Sequence, residues 1–173
     1  TNYILTRMTE EKIPLAEALR QAQEQGFAEA DPTLDLDGSD AAQKISLLAS
    51  LAFGCWIDYR QVYREGIGAV GPDDIAFCME SGFVLKLVAQ ARMMGARPLV
   101  CVYPTLVPQD HPLAGVRNEF NGVLVDSDFL GPSMYEGRGA GGHPTASSVA
   151  SDLGDLAKTI VAGQPVRPRR SSL

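Results

Sequence analysis

At 173 residues, with 45% apolar and 21% charged side chains, the chain is long enough for one domain with a real hydrophobic core. A formal charge of -6 argues against a broad nucleic-acid footprint and against adsorption to an anionic membrane. No apolar run reaches the roughly 20 residues of a membrane span, and the cysteines Cys55, Cys78 and Cys101 are spaced and embedded like reduced core residues of a cytoplasmic protein.

Thr1 to Met8 reads as part of a packed helix already under way, as in a piece of a longer protein. Pro14 to Gln25 follows as a clearer helix, with Leu15, Ala18, Leu19 and Ala22 on one face, Pro14 at its opening and Gly26 at its exit. It leads into the densest chemistry of the chain, the run from Gly26 to Lys44. Glu29, Asp31, Asp35 and Asp37 crowd a loop that Pro32 and Gly38 keep irregular. Asp37 is placed to cap the next helix, expected from about Ser39 to Phe53. Asp40 and Lys44 then share one edge, and Ala41, Ile45, Leu48, Ala49 and Ala52 form the expected buried stripe.

Gly54 ends that helix, and Trp56 to Val62 fits a short strand or another packed segment. Gly66-Ile-Gly68 reads as a turn, since the three-glycine pattern of a dinucleotide fold is absent. Pro72 to Ser81 is predicted as a short helix, and Phe83 to Arg92 with Arg97 to Tyr103 as adjacent antiparallel strands joined at Met94-Gly-Ala. Pro104-Thr-Leu-Val-Pro-Gln-Asp-His-Pro112 reads as an ordered loop, and Glu119 to Asp126 as a third strand. After another extended stretch near Gly131, Gly137-Arg-Gly-Ala-Gly-Gly-His-Pro144 precedes a helix starting near Thr145, striped by Val149, Leu153, Leu156 and Ile160. Helices first and strands after predict an α+β fold, a mostly antiparallel or mixed sheet covered on one face by helices. The Pro/Arg/Ser-rich end is expected to fray.

Two readings of Lys44 stay open at this level. It is either half of an ordinary i,i+4 surface pair with Asp40, or the lysine of a polar pocket that exchanges a proton with a substrate oxygen. At least two of the four loop carboxylates are expected to serve only turns and caps. A divalent-metal reading of the cluster lacks the calcium-loop spacing. His111 and His143, each followed by proline in a loop, read as local hydrogen bonders. The nucleophile elbow, the His-Glu-x-x-His zinc motif, the Cys-x-x-Cys pair and the phosphate-binding P-loop are all absent from the sequence.

The segments Thr1-Asn-Tyr-Ile-Leu5, Gly26-Phe-Ala-Glu-Ala-Asp-Pro32, Asp40-Ala-Ala-Gln-Lys44, Gly82-Phe-Val-Leu-Lys-Leu87, His111-Pro-Leu-Ala114 and Gly137-Arg-Gly-Ala-Gly-Gly-His-Pro-Thr-Ala-Ser147 together resemble the catalytic domain of homoserine dehydrogenases. The resemblance implies reversible hydride transfer between NADP or NAD and L-aspartate 4-semialdehyde, giving L-homoserine, within threonine and methionine biosynthesis. It implies that Glu29 holds the substrate amino group and Asp35 faces the same pocket. Asp40 and Lys44 would lie at the reacting oxygen, with Lys44 transferring the proton. Gly137, Gly139, Ala140, Gly141 and Thr145 would touch the cofactor, and no residue is assigned to a metal. It further implies a homodimer joined through the sheets and an N-terminal Rossmann domain whose glycine fingerprint these residues lack.

On that resemblance, residues 1–136 are expected to be a substrate-binding and dimerisation domain. Residues 137–162 are expected to be a glycine loop and a helix that packs on the cofactor domain, and 163–173 a flexible tail. The chain by itself is expected to be inactive. The alternative from another class is a non-catalytic dimerisation or amino-acid-sensing domain that keeps the pocket.

Overall fold

The computed structural model describes residues 1–163; past Gly163 the expected tail lies outside the described residues. Helices α1 (Asn2–Glu11) and α2 (Leu15–Glu24) open the chain, followed by the one-turn α3 (Thr33–Leu36) and by α4 (Ser39–Phe53). A short 3-10 turn at Tyr59–Gln61 and the two-residue strand β1 (Tyr63–Arg64) lead to α5 (Pro72–Glu80). The long strands β2 (Phe83–Met94) and β3 (Arg97–Pro108) follow, then β4 (Phe120–Ser127), β5 (Gly131–Arg138) and α6 (Gly142–Val161).

The α+β expectation holds. β3 lies centrally in a mixed sheet of order β1-β3-β2, antiparallel to β2 and parallel to β1. The strand expected at 119–126 is present, but it pairs with β5 in a separate two-stranded sheet. β2 and β3 register from Phe83 opposite Pro108 to Met94 opposite Arg97, so the stretch expected to be a loop from Pro104 is strand as far as Pro108. Its prolines are tolerated because β1 covers β3 only at Cys101 and Val102, leaving the rest of that edge unpaired among the described residues, and an unpaired edge does not need every N–H.

The main core lies between α1, α2, α5 and β2. Ile4, Leu5, Met8 and Ile67 are fully buried there with Ala18, Ala22, Ile75 and Leu85. Burying each large aliphatic side chain stabilises by about 1.5–3 kcal/mol, so this cluster supplies much of the fold's driving force. A second cluster joins Ala42 of α4 to Val62 and Val102.

The buried face of α4 differs from the expected stripe. Ser39, Ala42, Ser46 and Ala49 are buried, Ala41 and Ile45 are half-buried, and Leu48 and Ala52 are exposed. Small side chains let the helix approach the sheet closely, and Ser46 Oγ donates to the Ala42 carbonyl at 2.7 Å, so its burial leaves no orphaned hydroxyl. Leu47, Leu48 and Leu51 consequently face outward.

The helix expected near Thr145 starts at Gly142, and α6 has no buried residue, its stripe of Val149, Leu153, Leu156 and Ile160 standing exposed. The boundary expected between 136 and 137 falls inside β5. Cys55, Cys78 and Cys101 are free thiols. No described helix is long and apolar enough to cross a membrane.

Candidate active site

The acidic loop is organised from within by its own backbone. Asp31 Oδ1 accepts from Thr33 Oγ1 at 2.6 Å and Thr33 N at 3.1 Å, which starts α3 and holds the Asp31 carboxyl below the usual carboxylate range. Asp37 does serve the start of α4, from one position further out than an N-cap: Gly38 is the N-cap, at φ 83, and Asp37 Oδ1 accepts from Ser39 N at 2.8 Å. Two of the four loop carboxylates are thus committed to local structure.

The loop is fastened by the turn after β1. Ile67 N donates to the Leu36 carbonyl at 2.8 Å, and a Cβ on Gly66 would lie 1.9 Å from that oxygen. Only glycine permits so close a backbone approach. Glu65 N is bonded in turn to the Val102 carbonyl at 2.8 Å, which ties loop and turn to the central strand.

Within this frame Asp40 and Lys44 meet. Asp40 Oδ2 lies 2.6 Å from Lys44 Nζ, one helical turn apart, with the side chains 39% and 56% exposed. Such an exposed pair contributes only a few tenths of a kcal/mol to stability, so the fold does not depend on it. Asp35 is half-buried at the end of α3, its carbonyl accepting from Thr1 Oγ1 at 2.7 Å. Glu29 is exposed on the loop after α2. Its carbonyl accepts from Gln23 Nε2 at 3.0 Å, while its carboxylate makes no hydrogen bond or ion pair among the described residues.

The structure therefore joins Asp40 to Lys44 directly and leaves Glu29 and Asp35 on the neighbouring loop without an ion pair to either. The expected polar pocket around them is not enclosed. A depression of about 430 Å³ beside α3 is lined by Thr33, Leu36, Asp37, Glu65, Gly66, Gly68 and Ala69, none of them an expected substrate residue. Glu29, Asp40 and Lys44 stand at the surface, and the Asp35 carboxylate, 27% exposed, lies 3.4 Å from the Thr1 amine. No group of three or more His, Cys, Asp or Glu among the described residues is arranged to hold a metal ion.

The glycine loop lies at the far end of the second sheet. Gly137 lies within β5 opposite Asn121, and Gly139 N donates to the Glu119 carbonyl at 2.9 Å. Gly139 packs so tightly that a Cβ would sit 2.0 Å from Asn121 Nδ2. Ala140 is half-buried, Gly141 at φ 112 is the N-cap of α6, and Thr145 Oγ1 donates to the Gly141 carbonyl at 2.9 Å. The first turn of α6 carries no acidic residue, so its N–H groups and dipole are compatible with an anionic group such as a dinucleotide phosphate.

Sequence reasoning passed over Lys86. It is only 7% exposed on β2, and Nζ donates to Asn2 Oδ1 at 3.0 Å and to the Val116 carbonyl. Burial, with repulsion from Arg117, pushes its pKa down to about 8 against a weaker opposing pull from Glu10. A lysine within an apolar strand, Phe83-Val-Leu-Lys-Leu87, was the available signal. His111 is the local hydrogen bonder expected, its Nδ1 accepting from Leu113 N at 3.2 Å.

The profile of the family described as homoserine dehydrogenase matches residues 1–153. The homoserine dehydrogenase of Bacillus subtilis is 46% identical over 163 residues, covering 94% of this chain and 38% of its own length. That of Synechocystis sp. is 48% identical over 166 residues, again covering 94% of this chain and 38% of its own. Among solved structures, the homoserine dehydrogenase of Thiobacillus denitrificans superposes with a TM-score of 0.87 at 38% identity, over 98% of this chain and 39% of that one. The S. aureus homoserine dehydrogenase at pH 7.5 gives 0.84 at 37% identity, over 99% and 42%. The chain thus spans about two fifths of the length of the relatives it matches.

Proposed function

This chain belongs to the homoserine dehydrogenase family, and on that premise we propose that it forms the substrate-binding and proton-transferring part of an NAD(P)-dependent oxidoreductase interconverting L-aspartate 4-semialdehyde and L-homoserine. The observation that carries the proposal is the Asp40–Lys44 pair, at 2.6 Å and open to solvent, beside a loop whose carboxylates at Glu29 and Asp35 are not used up by caps.

The bound nicotinamide cofactor supplies the hydride chemistry. Lys44 Nζ gives a proton to the substrate oxygen as the aldehyde is reduced and takes it back in the reverse direction; its positive charge also stabilises the negative charge that develops on that oxygen. Asp40, bonded to Nζ, orients it. Glu29 holds the substrate ammonium, helped by Asp35 on α3. The backbone of Gly137, Gly139, Ala140, Gly141 and Thr145 serves the cofactor, whose anionic groups suit the acid-free start of α6. A cofactor-binding domain completes the site, facing α6, whose apolar stripe is unburied among the described residues. Two copies pair through their sheets, where Leu99, Leu106, Val123, Val125 and Tyr135 are exposed.

The test is Lys44→Ala in an active enzyme carrying these residues. Turnover is expected to fall by about 10²–10⁴-fold, the range of a positioned general acid, while the melting temperature stays put. Unchanged turnover would reject the role.

A further inference from the structure

The polar contacts around Lys86 converge on one short stretch of chain. Lys86 Nζ donates to Asn2 Oδ1 at 3.0 Å and to the Val116 carbonyl, and Asn2 Nδ2 donates to the carbonyls of Phe120 at 2.9 Å, Asn118 at 3.3 Å and Val116 at 3.4 Å. Thr6 Oγ1 accepts from Asn118 N at 3.1 Å, and Arg7 donates to Asn118 Oδ1 at 3.1 Å. Asn118 has φ 54, a left-handed conformation that its surroundings must hold. Residues 116–120 are where the chain passes from the core to β4, β5 and α6. None of those three elements has a fully buried residue, and at their junction with the core Met134, Val116 and Leu113 close in on Gly122, so this packing and the polar contacts together fix where they stand.

We propose that Lys86 is a positioning residue whose amine, together with Asn2, pins residues 116–120 against α1 and so sets the β4–β5 hairpin and the glycine loop relative to the core. That the glycine loop meets a cofactor rests on the function proposed above. The pin itself rests on these contacts alone.

The charged groups acting on Lys86 are Arg117, which repels it, and Glu10 of α1, which attracts it. β3 sets Thr105 opposite it, and a cavity of about 180 Å³ beside it is lined by Glu10 and Arg117 together with the uncharged Thr6, Thr9, Met79 and Ala114. Among the described residues, no carboxylate is a hydrogen-bond partner of Lys86. The pinned amine, titrating at about 8, holds its proton less firmly than one released to water, which titrates near 10.5. Opening the link therefore takes up a proton, and the pinned state gains on the open one as pH rises from about 8 toward 10.5.

Amide hydrogen exchange of the 173-residue chain at pH 7 and pH 9, corrected for intrinsic rates, tests this directly. Protection at Asn118, Phe120 and Gly139 is expected to rise about tenfold in the wild type. It is expected to stay flat in Lys86→Gln, which keeps an amide donor and cannot titrate. Flat protection in the wild type, or an equal rise in Lys86→Gln, would overturn the pin. Should Lys86→Gln not fold, the Lys86 13Cε titration of the wild type decides: a midpoint near 8 with the Asn118 amide shift following it supports the pin, and a midpoint near 10.5 or an Asn118 shift that does not follow overturns it. Neither readout uses cofactor or substrate, so failure of the proposed reaction and failure of the pin are separately visible.

Discussion

Gly66 and Leu36 are in backbone contact: the position a Cβ would take on Gly66 is 1.9 Å from the Leu36 carbonyl oxygen, the same oxygen that accepts from Ile67 N at 2.8 Å. The acidic loop is held against the sheet by this contact, between residues thirty apart in sequence. Gly66→Ala puts a methyl where backbone already stands, and backbone must shift to admit it. It is expected to destabilise the chain by about 2–4 kcal/mol, in the range of severe overpacking, measured by urea unfolding. A loss below about 0.5 kcal/mol, the size of an ordinary surface change, would contradict the close approach.

Glu29 and Asp31 are expected to separate binding from folding. The Glu29 carboxylate has no partner among the described residues, whereas that of Asp31 is bound to Thr33 by two hydrogen bonds. Calorimetry with L-homoserine is expected to show at least about tenfold weaker binding for Glu29→Gln at unchanged melting temperature, as loss of a charge-assisted hydrogen bond gives. Asp31→Asn is expected to lower the melting temperature and leave binding alone. The reverse pattern would exchange their roles.

Stability is expected to rise across mildly alkaline pH because of Lys86. Its folded pKa, about 8, lies below the ordinary 10.5, so the unfolded chain binds more protons between the two and stability increases with pH over that window. The full difference of about 2.5 pH units corresponds to at most about 3.5 kcal/mol from this one group, since each unit is worth about 1.4 kcal/mol. Denaturant midpoints measured from pH 7.5 to pH 10 check the sign. Lys86→Met, which cannot titrate, is expected to lose this contribution and flatten the profile.

The 173 residues by themselves are expected to give no turnover, since the sequence contains no dinucleotide fingerprint and spans 38% of the length of its relatives. Following NADPH oxidation with aspartate semialdehyde on the purified chain tests this. A rate above that of heat-treated protein would show that these residues suffice.

Local pattern carried much of the fold. Helix α4 was legible at both ends, because Gly38 and Gly54 occupy left-handed positions that suit glycine and the run between them is uninterrupted. The β2–β3 hairpin was legible from two apolar runs joined at Gly95, but its length was not: the prolines after Tyr103 argue for a loop, and only the absence of a second neighbour along that edge lets strand continue to Pro108. The buried face of α4 was misplaced for a similar reason. Hydrophobicity favours Leu48, yet the close approach of helix and sheet selects Ala42, Ser46 and Ala49.

By itself the sequence determined the class of fold, the spacing that brings Asp40 to Lys44, and the family, since each depends on local periodicity or on ordered motifs. Tertiary structure decided which loop carboxylates are committed to turns, how Gly66 fastens the acidic loop, and that Lys86 is buried between α1 and residues 116–120. Those are contacts between residues far apart in the chain. They depend on which groups fold into reach of one another and on whether water can still reach them, and no local pattern encodes either.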